Sequence, residues 1–319
     1  MVVGWNRTYL GVARVAGRHW TSASHWRKRF KVARGLHLPE LPEVPGSVWG
    51  IAMVKNEADI IASVIEHTFA QGVDRILIVD NGSTDGTLQL LQRLARDLPL
   101  DVGTDSEVGY FQEHKMTALA AHARRVGAEW IVPFDADEFW FASGTSVAEF
   151  LRSSNGTQVE AQMYNIFPNE QKPTMTDLSG PVRFDLQPHK LVKTAARSHP
   201  LLWIEAGNHG IVRPGRIAGG LNIIHAPWRN EEQLVRKLRQ GAQAFAATDV
   251  AKTGRHQTHW TSLGNVDEEV LRDAWANLLV GRSSPLLGWN PVGPFLSLSP
   301  SSWRTWDPDG VIFRSDSGA

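Results

Sequence analysis

Trp130-Ile131-Val132-Pro133-Phe134-Asp135-Ala136-Asp137-Glu138 runs from an apolar segment of strand length straight into three carboxylates. Acidic side chains are rarely left at the end of a buried strand unless something positive meets them. A divalent cation with oxygen ligands suits such a cluster. A cation that grips a diphosphate is in turn a tool for group transfer.

The residues before this segment alternate between two periods. Val48–Val54 is an apolar run of strand length, followed by Lys55-Asn56-Glu57. Glu57–Gln71 has helical spacing, with Ile60, Ile61, Val64, Ile65 and Phe69 on one face and Gly72 as its stop. Asp74–Val79 is a second strand whose unbroken Ile76-Leu77-Ile78-Val79 predicts burial on both faces, hence parallel neighbours. The loop Asp80-Asn81-Gly82-Ser83-Thr84-Asp85-Gly86-Thr87 leads to a helix with Leu88, Leu90, Leu91 and Leu94 inward. A short strand at Leu100–Val102, a helix over Gln112–Val126 and a strand over Glu129–Phe134 complete the series. Strand–helix alternation of this kind predicts an α/β fold, Rossmann-like, with a mostly parallel sheet and right-handed crossovers.

The pattern loosens after Glu138. A short helix is expected at Val147–Leu151, strands at Gln158–Ile166, Lys190–Lys193 and Leu221–Ile224, and helices at Glu231–Ala247 and Val266–Val280. Asn230 is placed to cap the first of these long helices. The tail from Ser283 is rich in Pro, Ser and Trp and reads as a surface wrap. Pro39, Pro42, Pro45 and Gly46 form a linker, which divides the chain into a basic arm (1–46), a catalytic body (47–250) and a C-terminal helix with its tail (251–319).

Bulk composition narrows the classes. With 33 basic and 33 acidic residues the chain has no net charge and no global field for nucleic acid. The absence of cysteine removes disulfides, thiolate nucleophiles and zinc–thiolate sites, which fits a reducing, cytoplasmic setting. No apolar run approaches the roughly 20 residues that span a bilayer, and no signal-peptide core is present. The first 38 residues are instead basic and aromatic: Arg7, Arg14, Arg18, Arg27, Lys28, Arg29, Lys31 and Arg34 accompany Trp5, Tyr9, Trp20, Trp26 and Phe30. Two outcomes fit such an arm, a solvated segment or peripheral contact with an anionic membrane at its inner face. Of the 13 tryptophans, Trp203, Trp228 and Trp260 fall in loop-rich regions where rings stack on sugars, although core filling is the commoner use.

Ligands of open parallel sheets bind beyond the carboxyl ends of the strands, and three polar clusters land there: Lys55–Glu57, Asp80–Asp85 and Asp135–Glu138. For Asp80–Asp85 the competing explanation is a helix cap and turn. The sequences Met53-Val54-Lys55-Asn56-Glu57-Ala58-Asp59-Ile60-Ile61, Asp80–Thr87 and Asp135-Ala136-Asp137-Glu138-Phe139, in this order and spacing, resemble the family 2 glycosyltransferases, specifically a bacterial branch with an Asn-Glu start and an Asp-x-Asp-Glu-Phe site. The resemblance spans roughly residues 48 to 240. It implies a GT-A fold, a nucleotide-diphosphate sugar as donor (UDP-sugar first, GDP-sugar next) and Mn2+ or Mg2+. It also implies direct metal ligation by Asp137, with Asp135 reaching ribose or metal through water. Asp80, Asn81 and Asp85 would lie near base and ribose, with the chain after Val54, including Asn56 and Glu57, lining the nucleotide. Asn81 stands where the family often has a second aspartate.

The second half extends the resemblance through Gly207-Asn208-His209-Gly210 and His225-Ala226-Pro227-Trp228-Arg229, followed by Glu232 and Lys237. His225 is expected to complete the metal shell, against the alternative of a satisfied core histidine. Lys115 is a candidate for a phosphate or an ordinary surface lysine. Arg229 is a candidate clamp for a diphosphate oxygen or a partner of a local carboxylate. Members of the family generally invert the anomeric centre, which requires a base on the acceptor hydroxyl. The usual Glu-Asp pair is missing, leaving Glu138, Glu205 and His209. The acceptor is expected to be a glycan, a lipid or a small molecule. Two rivals use the same carboxylates: a nucleotidyltransferase, which calls for a glycine-rich phosphate loop that Lys55-Asn56-Glu57 does not provide, and a catalytically silent nucleotide-sugar-binding or scaffold protein.

Overall fold

The computed structural model describes residues 23–107, 109, 111–246 and 266–314. Trp5, Arg7, Tyr9, Arg14, Arg18, Trp20 and Trp260, and the boundary placed at 250/251, lie outside them. The first described element is α1 (Ala23–Gly35), a docked helix in the arm for which the sequence left open a solvated segment or a membrane contact. His25 and Val32 are buried on its inner side, and the His25 ring packs 4.9 Å from His114 and 5.3 Å from Trp203.

The sheet centre follows the apolar runs. β2 (Ser47–Val54), β3 (Arg75–Asp80), β4 (Leu100–Asp105) and β5 (Ala128–Pro133) are parallel and lie side by side in the order β4-β3-β2-β5. β2 is buried along almost its whole length, as a central parallel strand should be. Gly50 lets the Phe134 ring cross it, since a β-carbon there would stand 2.9 Å from the ring. The short β1 (Leu36–His37) closes one edge against β4.

Helices cover both faces. On one, α4 (Gln112–Arg125) brings Met116, Leu119 and Ala123 onto Trp49, Ile51, Leu77 and Ile131. On the other, α2 (Ile61–Ala70), α3 (Thr87–Leu94) and α5 (Val147–Ser153) pack Ile61, Val64, Ile65, Leu91 and Leu151 against Val48, Ile76 and Val132. α2 starts later than its periodicity suggested, because Glu57 to Ile60 form a turn bound to the neighbouring loop.

Beyond β5 the sheet becomes mixed. β9 (Val192–Arg197) is antiparallel to both β5 and β7 (Gln158–Phe167), β12 (Ile217–His225) is parallel to β7, and β6 (Glu138–Ala142) is antiparallel to β12. β6 is the main element the sequence did not disclose, since its fully buried Glu138-Phe139-Trp140-Phe141-Ala142 begins on an acidic residue. A bulge between Gly219 and Leu221 shifts β12 against β7, beyond which His225 pairs with Asn165; on its other side His225 lies opposite Glu138. The hairpin β10 (Trp203–Ile204) and β11 (Ile211–Val212) carries the loop Glu205–Gly210.

The C-terminal region is built into the body. α6 (Glu231–Ala246) and α7 (Glu268–Leu279) share a core of Trp228, Leu234, Leu238, Leu271 and Leu278. β8 (Val182–Asp185) pairs with β13 (Phe295–Leu298), and α8 (Val311–Arg314) follows. Trp303 and Trp306 pack edge-on and tilted against Phe141, so the tail enters the core where a surface wrap was expected. No helix among the described residues is long and apolar enough to cross a membrane.

Candidate functional site

A cleft of about 400 Å³ opens beyond the carboxyl ends of the central strands. The turns after β2 and β5, the end of β12, the Gly207–His209 loop and one side of α6 form its walls. Asn56, Glu57, Asn81, Asp135, Asp137, Glu138, His209 and His225 all border it; Asp80, Asp85, Lys115, Glu205 and Arg229 do not.

Strand pairing brings Asp137 and His225 together. The Ala226 amide donates to the Asp137 carbonyl at 2.9 Å, and His225 Nε2 lies 3.7 Å from Asp137 Oδ1. His225 Nδ1 stands 2.8 Å from the side-chain oxygen of Asn165, so the ring proton sits on Nδ1 and Nε2 keeps its lone pair. Burial lowers the ring pKa to about 3, against the pull of Asp137, so the imidazole is neutral. Burial alone would raise the Asp137 carboxyl, but Lys237, His225 and Arg229 hold it well below the usual carboxylate range. Lys237 Nζ is 2.6 Å from Asp137 Oδ2, and Arg229 Nη1 is 3.7 Å from the same oxygen.

Lys193, on β9, organises the other two acids, and sequence inspection missed it. Its ammonium lies 2.6 Å from Asp135 Oδ2, 2.8 Å from Glu138 Oε1 and 2.6 Å from the Gly207 carbonyl. Burial would lower the Lys193 pKa, yet Asp135 and Glu138 carry it upward. Asp135 Oδ1 accepts from Asn208 Nδ2 at 2.9 Å, and Glu138 Oε2 accepts the Asp135 amide at 3.1 Å. Burial pushes the Glu138 carboxyl up to about 7 despite Lys193. With both oxygens turned to internal partners, Glu138 supports the turn and is not aimed at an acceptor. The one local clue to Lys193 was a lysine inside a strand of otherwise small and apolar buried residues.

The loops after β2 and β3 are laced together. Asn56 has φ 58°, a left-handed conformation that asparagine tolerates. Its Oδ1 accepts from Thr84 N at 2.6 Å while its own amide donates to Ser83 Oγ at 2.8 Å. Asp85 accepts from Thr87 N and Ala58 N, at 3.0 and 3.1 Å. It is thus the cap-and-turn alternative and not a nucleotide contact. Asp80 is buried below the loop: Oδ2 accepts Ser83 N at 3.0 Å, and Oδ1 has no hydrogen-bond partner among the described residues. Asn81 Nδ2 donates to Asp105 Oδ2 at 2.8 Å and to the Glu107 carbonyl at 2.9 Å.

Three expected contacts are engaged elsewhere. Lys115 is buried with its ammonium 2.5 Å from Asp105 and 2.7 Å from the Glu107 carbonyl, so it meets neither cleft nor bulk solvent. Arg229 is fully buried; it donates to both oxygens of Asp59, at 2.8 and 3.0 Å, and to Glu57. It therefore partners local carboxylates and cannot clamp a diphosphate. Glu205 is exposed, and its side chain lies over Gly210, away from the cleft. His209 does face the cleft; its Nδ1 stands 3.1 Å from the Val192 carbonyl, which leaves Nε2 as an acceptor. Burial, followed by Lys193, lowers its pKa.

Among the described residues no three His, Asp or Glu side chains are grouped to hold a metal ion. Asp137 and His225 nonetheless fit as a pair. A neutral imidazole lone pair aimed at a carboxylate oxygen 3.7 Å away is an unfavourable contact on its own and a good one around a shared cation. Sparse protein ligands suit Mg2+-like ions that complete their shell with substrate phosphates and water.

A parallel-centred α/β sheet with an acidic cleft at its carboxyl edge is the GT-A class of fold. A family model described as "Glycosyl transferase family 2" matches residues 51–192, from within β2 to the first residue of β9. That stretch is similar to a glycosyltransferase domain. Solved structures similar to the chain include S. aureus TarS 1-349 in complex with UDP, at 12% identity, 72% coverage of each chain and a TM-score of 0.37. Others are the mannosyltransferase PcManGT from Pyrobaculum calidifontis in complex with GDP-Man and Mn2+, at 16% identity, 86% coverage of each chain and TM-score 0.39, and HddC from Yersinia pseudotuberculosis, at 12% identity, 56% coverage of this chain and 76% of that one, and TM-score 0.27. No curated protein sequence matches the chain significantly.

Proposed function

We propose that the chain moves a sugar, with inversion, from a UDP- or GDP-sugar to a glycan, lipid or small-molecule acceptor, and that Mn2+ or Mg2+ assists. The observation that carries this proposal is the Nε2 lone pair of His225 facing Asp137 inside a cleft at the carboxyl edge of the sheet. These two residues would hold the cation, which supplies charge for the departing nucleoside diphosphate without moving a proton.

The chain's own residues do the rest. The Val54–Glu57 backbone and Asn81 offer a wall for base and ribose, and Asp135, steadied by Lys193 and Asn208, faces the same side. Lys55, Arg236 and Lys237 border the cleft as the cations available to a diphosphate. Of the three base candidates His209 has the suitable arrangement: it borders the cleft, and the carbonyl on Nδ1 directs Nε2 to take the acceptor proton. Helix α1 exposes Trp26 and Phe30 (46% and 66%) among Arg27, Arg29, Lys31 and Arg34, which favours a peripheral position on an anionic membrane at the cytoplasmic face.

The test is turnover of a panel of sugar nucleotides by the full chain and by Asp137→Asn. Release of sugar to acceptor or water from one UDP- or GDP-sugar, abolished by EDTA and lowered on the order of 10²–10³-fold in the variant, is the expected result. No turnover with any donor would favour the catalytically silent alternative, and release of diphosphate from a nucleoside triphosphate would favour the nucleotidyltransferase.

A further inference from the structure

The acidic cluster that calls for a cation already holds several. Lys193 sits on Asp135 and Glu138, Arg229 on Glu57 and Asp59, and Lys237 on Asp137. Two of these cations are fixed. Lys193 and Arg229 are buried, and each is spent on several carboxylate or carbonyl oxygens. Lys237 differs. It projects from α6 into the cleft with its side chain 24% exposed. Its ammonium has one short ionic contact, 2.6 Å to Asp137 Oδ2, and a longer one, 3.3 Å to the Pro227 carbonyl. The indole rings of Trp228 and Trp289 flank it, each centroid 5.6 Å away.

Asp137 is thereby divided. Oδ2 belongs to the ammonium, and Oδ1 looks toward the Nε2 lone pair of His225. A divalent ion on the Oδ1 side would sit one carboxylate away from the ammonium, with the Arg229 guanidinium 3.7 Å from Oδ2 as well. Like charges at that range in a poorly solvated cleft repel strongly. A nucleoside diphosphate reverses the balance, because its oxygens can accept Lys237 and ligate the metal together.

We propose that Lys237 is the resident cation of this site. It neutralises Asp137 in the donor-free protein and moves to phosphate oxygens when the donor arrives, so that divalent metal and nucleoside diphosphate bind as a pair. This rests on the sugar-nucleotide function proposed above and adds to it an assigned phosphate-binding residue and a coupling between metal and donor binding.

Mn2+ titrations followed by the EPR signal of the free ion test it, with the full chain in the presence and absence of UDP or GDP. The parent protein should bind Mn2+ weakly alone and at least about tenfold more tightly with the matching nucleotide, a coupling in the ordinary allosteric range. Lys237→Met keeps an apolar chain between the two indoles, and Lys237→Gln serves as a second neutral variant whose melting curve checks folding. Both should bind Mn2+ alone about tenfold more tightly than the parent, and nucleotide should then add less than about threefold. Lys237→Arg should behave as the parent. If the neutral variants bind Mn2+ alone no better than the parent while nucleotide still tightens Mn2+ in both, the resident-cation role is wrong and the donor site stands. If no nucleotide tightens Mn2+ in the parent, the resident-cation role and the metal–donor site fall together.

Discussion

Lys193 lies 58 residues beyond Asp135 in the chain, yet its ammonium is 2.6 Å from that carboxylate and 2.8 Å from Glu138. The same nitrogen donates to the Gly207 carbonyl, so one buried lysine joins the acidic turn to the loop that carries His209. The cleft is thus assembled around an internal charge, and several consequences can be measured.

Lys193→Met strips the counter-charge from the buried Glu138 and the half-buried Asp135. Breaking one partner of a buried ion pair costs roughly 3–5 kcal/mol, and a loss of that size is expected in urea unfolding. Adding Glu138→Gln removes one of the orphaned charges and should restore part of it. Additive losses in the double variant would contradict the contact.

His209→Ala should lower kcat by roughly 10²–10⁴-fold while leaving nucleotide affinity near that of the parent protein, as expected for a base that touches only the acceptor hydroxyl. Steady-state kinetics paired with a nucleotide-binding isotherm separates the two effects. A parallel loss of nucleotide binding would assign His209 to the donor side.

His67 makes acid sensitivity predictable. Burial against Phe139 and Phe141 lowers its pKa from 6.5 to about 4, even though Nε2 donates to the Trp140 carbonyl at 2.7 Å. A histidine with a depressed folded-state pKa contributes stability that is fully present above its unfolded value and is lost as pH falls from 6.5 toward 4. In that window the unfolding free energy should drop by up to about 1.4 kcal/mol per pH unit more in the parent protein than in His67→Gln. Parallel curves for the two proteins would rule out this titration.

Helix α1 gives a test of the membrane position. Flotation of the full chain with vesicles containing phosphatidylserine should fall when Trp26 and Phe30 are both replaced by Ala, and should weaken at high salt as basic contacts are screened. Flotation equal to that with neutral vesicles would sink the peripheral assignment.

Much of this architecture could be seen in the amino-acid order. Continuous apolar runs such as Ile76-Leu77-Ile78-Val79 marked the parallel centre, because a strand buried on both faces leaves no alternation. The turns after β2, β3 and β5 stood out as polar interruptions at strand ends, and all three reach the same edge. What stayed hidden depends on partners far apart in sequence. Nothing local to Arg229 says that Glu57 and Asp59, about 170 residues earlier, consume its donors. Nothing near Asp80–Asp85 distinguishes a loop staple from a ligand contact until Asn56 and Ala58 are seen bonded to it. β6 escaped because its first residue is a glutamate, and only the buried Lys193 makes an acid tolerable there.

The central claim is a nucleotide-sugar site that needs Asp137, His225 and a divalent ion together. The most direct measurement is the melting temperature of the full chain with UDP, GDP, dTDP or CMP, each with and without Mn2+. One uridine or guanosine diphosphate should raise Tm by roughly 5 °C or more at a hundredfold excess over its Kd, only when Mn2+ is present, and the rise should vanish in Asp137→Asn and His225→Ala. An equal rise in EDTA, or an undiminished rise in both variants, would contradict it.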